Sequence, residues 1–228
     1  MARIPALALV FSGFIASHAN AQSDISDMIA TDGLALTRDH LASLDEPSPT
    51  ELFALGGVQF LGGIEAALQA RWQVGLDSQM LRSLGIPLLR LPIAPNPEAR
   101  EFRPEMIDAI FAAASADMTE AAETLAGIKG EVSLPVDIAD LWFDVNGNGT
   151  REVGEGVMDI AGFALGGGFG ETPDAVSIRF DTADVAWLRA YAHLLAGISD
   201  TIRAIGTTDP ISRVMATAEG FRAVAGPP

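Results

Sequence analysis

Apolar residues recur every three to four positions along most of this chain, which is the spacing of one face of an α-helix. The pattern forms five long segments, and Gly33 interrupts the first of them. Two short alternating runs, residues 131–136 and 176–180, predict strands that could pair with each other. We therefore expect a mainly α fold, a helical bundle with at most two short strands. The predicted helices span residues 23–44, 48–75, 104–127, 181–205 and 209–224.

The second predicted helix has a strong start signal and an unusual glycine content. Ser48 and Glu51 fit a capping box, with Pro49 at the first helical position. Each glycine costs a helix about 1 kcal/mol relative to alanine, so four of them indicate close approach of another helix. A membrane span is the rival interpretation, but polar side chains interrupt the apolar run and favour a buried core helix. The glycines are Gly56, Gly57, Gly62 and Gly63, and the interrupting residues are Gln59, Glu65, Gln69 and Arg71.

Three other segments carry weaker signals. Residues 77–84 predict one or two helical turns, and the proline-rich residues 86–97 predict an extended stretch that covers the core. The glycines of residues 166–170 predict a flexible linker rather than a phosphate-binding turn, because a helix precedes them. The helix over residues 181–205 has apolar residues on two neighbouring faces, so we expect it to be widely buried. The second of these faces carries Trp187, Tyr191, Leu194 and Ile198.

The amino-terminal residues have the features of a secretory signal peptide. A short positive start with Arg3 is followed by a mostly apolar run, residues 4–16, and by the small residues Ala19 and Ala21 around Asn20. The run is shorter than the roughly 20 residues that a spanning helix needs. We expect residues 1–21 to be a signal peptide that is cleaved after Ala21. Residues 22–228 would then form a single mainly helical domain in the periplasm or outside the cell.

Composition and charge narrow the function classes. The chain has 228 residues, of which 49% are hydrophobic, enough for one sizeable core. It contains no cysteine, which excludes disulfides and thiol chemistry. Its net charge of −16 argues against nucleic acid and anionic lipid as partners. We expect no membrane span in the mature chain and no catalytic residues.

Residues 144–155 read DVNGNGTREVGE and match the twelve-residue calcium-loop pattern D-x-[DN]-x-[DN]-G-x5-E. Calcium takes six to eight oxygen ligands, and this spacing supplies them from one tight turn. Gly149 occupies the sharp bend, where a residue without Cβ turns most easily. Thr150 would contribute its backbone carbonyl, and the ninth position commonly acts through water. The candidate calcium ligands are Asp144, Asn146, Asn148, Thr150, Glu152 and Glu155.

The same residues leave one alternative open, and they also set the expected affinity. The Asn-Gly pairs at residues 146–147 and 148–149 are strong turn formers, so a metal-free turn could account for part of the pattern. Three carboxylates predict a weak site, with a dissociation constant on the order of 10⁻⁵ to 10⁻³ M. Arg151 occupies the eighth loop position, where two paired EF-hand loops usually have an apolar residue in the short strand between them. We therefore expect a solitary loop. Residues 137–143 predict only a helical turn or two before it, and residues 156–165 predict the exiting helix.

The loop resembles those of the EF-hand and dockerin families at the candidate ligands and at Gly149. The order of segments also looks like that of a group of secreted bacterial proteins that carry one loop of this type. The resemblance implies calcium binding and export, but no activity. It lies in residues 57–61, 89–92, 144–155 and 180–189, with Tyr191 and His193.

The leading hypothesis is an exported calcium-binding protein in which the ion chiefly stabilises the fold. A calcium-dependent module that binds a protein or envelope partner is the first alternative. An enzyme that uses Asp184, Tyr191 and His193 is the second. Asp184 and His193 stand nine residues apart, on opposite sides of an ideal helix, so a histidine buried in the core is the favoured interpretation of His193.

Overall fold

The computed structural model describes residues 15–76, 81, 91–161 and 177–225. Within these residues the fold is mainly helical, with six α-helices and one two-stranded sheet, as the sequence predicts. The linker predicted at residues 166–170 and most of residues 77–84 and 86–90 lie outside the described residues. In chain order the elements are α1 (Ile15–Ala42), α2 (Pro49–Gln73), α3 (Glu105–Ala126), β1 (Ser133–Asp137), a 3₁₀ turn (Ile138–Asp140), α4 (Val157–Ala161), β2 (Ser177–Asp181), α5 (Thr182–Ile205) and α6 (Thr208–Ala225).

The predicted break in α1 is confirmed at Gly33. This residue has φ 77° and ψ −178°, a conformation that only glycine adopts without strain. A Cβ atom at this position would lie 2.9 Å from Cζ2 of Trp142. The indole N–H of Trp142 donates a hydrogen bond of 2.8 Å to the carbonyl of Ile29. The break in α1 therefore accommodates the Trp142 ring, two residues before the candidate calcium loop.

The predicted start of α2 is also confirmed. The Ser48 hydroxyl accepts a hydrogen bond from the Glu51 amide at 3.2 Å, and the Glu51 carboxylate accepts one from the Ser48 amide at 2.7 Å. Together these bonds satisfy two N–H groups that the first turn of a helix leaves unpaired. Within the described ranges, α2 is the one helix that is long and apolar enough to cross a membrane. This is weak evidence for a membrane span, because 56% of the most apolar part of the helix is buried within the fold.

The close approach predicted for the α2 glycines holds for two of the four. A Cβ at Gly63 would lie 2.9 Å from Cβ of Asp117 on α3, and a Cβ at Gly56 would lie 2.7 Å from the Leu125 side chain. Gly57 and Gly62 have no neighbour within 4 Å of such a Cβ. Close packing against α3 therefore explains Gly56 and Gly63 but not Gly57 and Gly62.

The two predicted strands form the antiparallel sheet. Leu134 of β1 lies opposite Phe180 of β2, and Val136 lies opposite Ile178. The inward side chains of β1 are buried in the main core with residues of α1 and α2. Asp181 ends β2 and caps α5, so the sheet fixes where that helix begins.

The prediction that α5 is widely buried is wrong. Trp187 is 63% exposed, Leu194 is 54% exposed and Tyr191 is 43% exposed. The helix packs on α3 through its small residues instead, and Ala192 and Ala196 are the buried members of that seam. Small side chains let two helices lie close together, which leaves the large aromatic residues on the outer side.

Candidate functional site

The first half of the loop, residues 144–150, wraps around its own side-chain oxygens. The two carboxylate oxygens of Asp144 accept hydrogen bonds from the amides of Asn148 at 3.0 Å and Gly149 at 2.8 Å. The side-chain oxygen of Asn146 accepts from the Asn148 amide at 2.9 Å, and that of Asn148 accepts from the Thr150 amide at 2.7 Å. Gly149 has φ 73°, as the sharp bend requires. Three of the six candidate ligands therefore turn their oxygens toward one short stretch of backbone.

Glu155 closes the loop. Its side chain is buried, with 6% of the residue exposed. One carboxylate oxygen accepts from the Val145 amide at 2.9 Å, and the other accepts from the Glu152 amide at 2.8 Å. The Glu155 carbonyl also accepts from the Phe143 amide at 2.8 Å. Glu155 thus joins the beginning and the end of the loop.

The structure does not gather the three loop carboxylates into one cluster. Glu152 is exposed, and one of its carboxylate oxygens accepts a hydrogen bond of 2.9 Å from the Asn148 side-chain amide. Over the described ranges, no group of three or more His, Asp or Glu side chains is placed to hold a metal ion. Because the ninth position of such loops commonly acts through water, Glu152 could serve there without joining Asp144 and Glu155 in one cluster.

The chain enters the loop without a full helix. A 3₁₀ turn, Ile138–Asp140, stands in the place of the incoming helix, as the short pattern before the loop predicts. Ser26 of α1 holds this turn, since its hydroxyl donates to the Asp140 carboxylate at 2.7 Å and accepts from the Asp137 amide at 3.1 Å. Arg151, at the eighth loop position, donates to the Ala139 carbonyl at 2.8 Å. Its side chain therefore contacts the loop's own entry segment.

Two side chains of α2 hold the first loop residue, Asp144. The Glu65 carboxylate accepts a hydrogen bond from the Asp144 amide at 2.8 Å, and the Gln69 side-chain amide donates to the Asp144 carbonyl at 2.7 Å. Sequence reasoning missed this role and treated both residues only as interruptions of an apolar helix. Their spacing of four residues, which places them on one helix face, is the signal that could have found them.

Glu65 is a buried carboxyl group, with 7% of the residue exposed. Burial raises its pKa to about 7, and the negative charges of Asp144 and Glu155 add to the increase. The hydrogen bond from the Asp144 amide and the charge of Arg38 act in the opposite direction. A carboxyl group with this pKa is only about half ionised near neutral pH, and a cation in the neighbouring loop would favour its charged form.

The chemistry of the loop fits calcium better than it fits a softer metal. Its candidate ligands are carboxylates, side-chain amides and a backbone carbonyl, and hard cations prefer oxygen of this kind. An ionised carboxylate has about four acceptor positions, so the hydrogen bonds of Asp144 and Glu155 leave lone pairs for a metal. The loop therefore contains oxygen donors of the kind that calcium prefers.

The residues considered for catalysis do not form a site. Asp184 accepts a hydrogen bond from the Asp181 amide and serves as a helix cap. Tyr191 stacks on Trp187 with ring centroids 5.2 Å apart. His193 is exposed, so the interpretation of it as a buried core histidine is wrong. Because α5 is continuous, nine residues separate Asp184 and His193 by about 13 Å along the axis and place them on opposite sides.

Comparison with known proteins does not identify a family for this chain. No protein-family model, no curated protein and no solved structure matches it. Any functional conclusion therefore depends on the residues themselves.

Proposed function

We propose that residues 144–155 bind one calcium ion and that the ion chiefly stabilises the fold. The observation that carries the proposal is the pairing of a full twelve-residue calcium pattern with a loop wrapped around three of its own donor side chains. The side chains of Asp144, Asn146 and Asn148 accept hydrogen bonds from the backbone amides of residues 148–150. The Glu155 carboxylate accepts hydrogen bonds from the amides of Val145 and Glu152, near the beginning and the end of the loop. Asn-Gly turns alone do not require a buried glutamate at the twelfth position.

The position of the loop supports a stabilising role. Asp144 is bonded to α2 through Glu65 and Gln69, and the backbone after the loop returns to its entry, where the Val157 amide donates to the Leu141 carbonyl at 2.9 Å. An ion held by residues 144 and 155 would therefore fasten the entry segment and α4 to the central helix. At free calcium 100-fold above the dissociation constant, such a site adds about 2.7 kcal/mol to the free energy of unfolding.

We further propose that the protein acts after export, where a weak site is useful. The signal-like residues 1–21 support export, and three carboxylates support an affinity in the weaker range of such loops. The acidic surface, with a net charge of −16, would raise the local concentration of cations.

Calorimetric titration with calcium, followed by thermal melting in calcium and in chelator, tests the proposal. The purified protein should bind one calcium ion and melt at a higher temperature in calcium. Glu155→Gln should remove the calcium-dependent increase in melting temperature. Glu123→Gln, which removes an exposed carboxylate on α3, is the matched control and should keep the increase. Calcium binding that survives Glu155→Gln would show that the ligand assignment is wrong.

A second candidate is a calcium-dependent binding module, and a cleft beside the loop favours it. The cleft has a volume of about 390 Å³ and lies between the loop and the proline-rich segment that includes Pro92, Ile93 and Pro95. Val153, within the loop, is fully exposed next to it. A partner protein that binds in calcium but not in chelator would support this module, because calcium bound to the folded protein raises the melting temperature under either proposal.

A further inference from the structure

A cavity of about 200 Å³ separates α2 from α5. Both helices pack along α3, but they contact each other at only a few positions. The β1–β2 sheet and α1 border the same space, so it is bounded by four elements of the fold. Small apolar cavities of about 150 Å³ are already large enough to bind a benzene ring.

The described residues of the inner wall of this cavity are all apolar. They include Ile29 of α1, Phe53 and Val58 of α2, and Leu134 and Val136 of β1, all buried. Such a wall offers no partner to a ligand's hydrogen-bonding groups, and burying an unpaired polar group costs free energy. The part of a ligand that enters the cavity must therefore be a hydrocarbon.

Gly57 leaves the cavity open from the α2 side. A Cβ atom at this position would meet no atom within 4 Å, in contrast to Gly63 on the same helix. Gly57 is half-buried and lines the cavity, so any larger side chain there would project into the space. Glycine weakens a helix, and no packing contact at Gly57 accounts for it. Access to the cavity supplies a reason.

The rim of the cavity favours a positive charge. Among the described residues that line the cavity, Asp184 is the one with a charged side chain, and it is half-buried. Trp187 is exposed beside it and stacks on Tyr191 with an interplanar angle of 9°. A carboxylate beside an exposed indole face attracts an ammonium group through charge and cation–π interaction. The net charge of −16 repels anions from the same surface.

We propose that this cavity binds a small amphiphilic cation. The hydrocarbon part of the ligand lies against Phe53, Val58 and Val136, and its ammonium group lies at the rim between Asp184 and Trp187. This site lies outside residues 144–155, although Leu141, which precedes the loop, is among its lining residues.

Binding of three ligands that share one eight-carbon chain tests the proposal. Octylammonium, 1-octanol and octanoate are titrated into the purified protein in chelator, below the micelle-forming concentrations of the two ions and the solubility limit of the alcohol, and binding is followed by calorimetry. We expect octylammonium to bind at least tenfold more tightly than octanoate, with 1-octanol between them. Equal affinity for all three, or tighter binding of octanoate, would overturn the proposal.

Two glycine variants on α2 locate the site. Gly57→Leu fills the cavity and should weaken octylammonium binding at least tenfold. Gly62→Leu is the matched control, because Gly62 also faces open space on the same helix but does not line this cavity. Its binding should match that of the unmodified protein, and thermal melting in chelator checks that both variants fold. Unchanged binding by a folded Gly57→Leu protein would overturn the location.

Asp184→Asn tests the role of the rim. Asparagine keeps a side-chain oxygen for the helix cap but loses the negative charge. The preference for octylammonium over 1-octanol should then become several-fold smaller, with a remainder that comes from Trp187 and the acidic surface. A preference as large as that of the unmodified protein would contradict the proposed position of the ammonium group.

Discussion

Glu65 and Asp144 are 79 residues apart in sequence, yet the Glu65 carboxylate accepts a hydrogen bond of 2.8 Å from the Asp144 amide. The bond connects the central helix α2 to the first residue of the candidate calcium loop. Gln69, one turn further along α2, holds the carbonyl of the same residue. The backbone of Asp144 is thus fixed on both sides before any ion binds, and its carboxylate remains available to the loop.

The raised pKa of Glu65 predicts how the stability of the metal-free protein depends on pH. Burial raises this pKa to about 7, from 4.5 for an ordinary glutamate. Because the folded protein holds the proton more tightly, the stabilisation from protonated Glu65 is fully present below about pH 4.5 and is lost as the pH rises through 7. At about 1.4 kcal/mol per unit of pKa, the loss is on the order of 3 kcal/mol.

Glu65→Gln should remove this contribution, because glutamine keeps a hydrogen-bond acceptor without a titrating proton. Urea unfolding in chelator from pH 5 to pH 8 measures the effect. We expect the variant to be more stable than the unmodified protein at pH 8 and to have a flatter pH profile. Glu123→Gln, at an exposed position, serves as the control and should retain the original slope. A variant profile as steep as the original would exclude Glu65 as the source.

The close contact between Gly33 and Trp142 leads to a second prediction about stability, for the substitution of Gly33 by alanine. Gly33→Ala places a side chain at φ 77° and brings Cβ to 2.9 Å from the Trp142 ring. Backbone strain of this kind costs about 1–3 kcal/mol, and displacement of the indole adds to it. We expect thermal melting to show a clear loss of stability. Gly57→Ala, in a helical conformation with open space around it, should instead gain up to about 1 kcal/mol.

Gly62 and Gly63 are neighbours on α2, but we expect alanine substitutions at the two positions to change the free energy of unfolding in opposite directions. At Gly63 a Cβ would lie 2.9 Å from Cβ of Asp117, an atom that cannot move without the α3 backbone. Gly63→Ala should therefore destabilise the protein by about 1–3 kcal/mol. Gly62→Ala meets no neighbour within 4 Å and should stabilise it by up to about 1 kcal/mol. Denaturant unfolding measures both, and effects of the same sign would contradict the packing of α2 on α3.

The features that the sequence predicted correctly depend on neighbouring residues. The capping box of Ser48 and Glu51, the break at Gly33 and the alternation in β1 involve positions within a few residues of one another, so short-range physics determines them. The pairing of β1 with β2 is the exception, because it joins distant segments, and the sequence predicts it only because it contains two strand patterns.

The features that the sequence did not reveal depend on distant partners. The sequence around Glu65 does not indicate that its carboxylate accepts a hydrogen bond from the amide of Asp144. The exposed aromatic residues of α5 follow a pattern that fits burial equally well, and only the contact of Ala192 and Ala196 with α3 shows which face turns inward. The twelve-residue loop lies between these cases, since its candidate donors are local in sequence but its three carboxylates do not form one cluster in the described structure.

Glu152 and Glu155 provide the last prediction, because the loop uses the two carboxylates differently. The Glu155 carboxylate is buried and accepts hydrogen bonds from two backbone amides. The Glu152 carboxylate is exposed and accepts a hydrogen bond from the Asn148 side chain. In chelator, Glu152→Gln should change the free energy of unfolding by no more than about 0.5 kcal/mol, as at other surface positions. Glu155→Gln should cost about 1–3 kcal/mol, because an amide nitrogen replaces one of its acceptor oxygens.

Calcium affinity should separate the same two variants. Glu152→Gln removes one negative charge near the ion and should weaken binding on the order of tenfold without abolishing it. Glu155→Gln removes the carboxylate that closes the loop and should leave no measurable binding. Calorimetric titration at constant ionic strength gives both values, with Glu123→Gln as the control for net charge. If Glu152→Gln and Glu155→Gln weakened binding equally, the ion would not distinguish the exposed ninth position from the buried twelfth, and the EF-hand-type ligand assignment would fail.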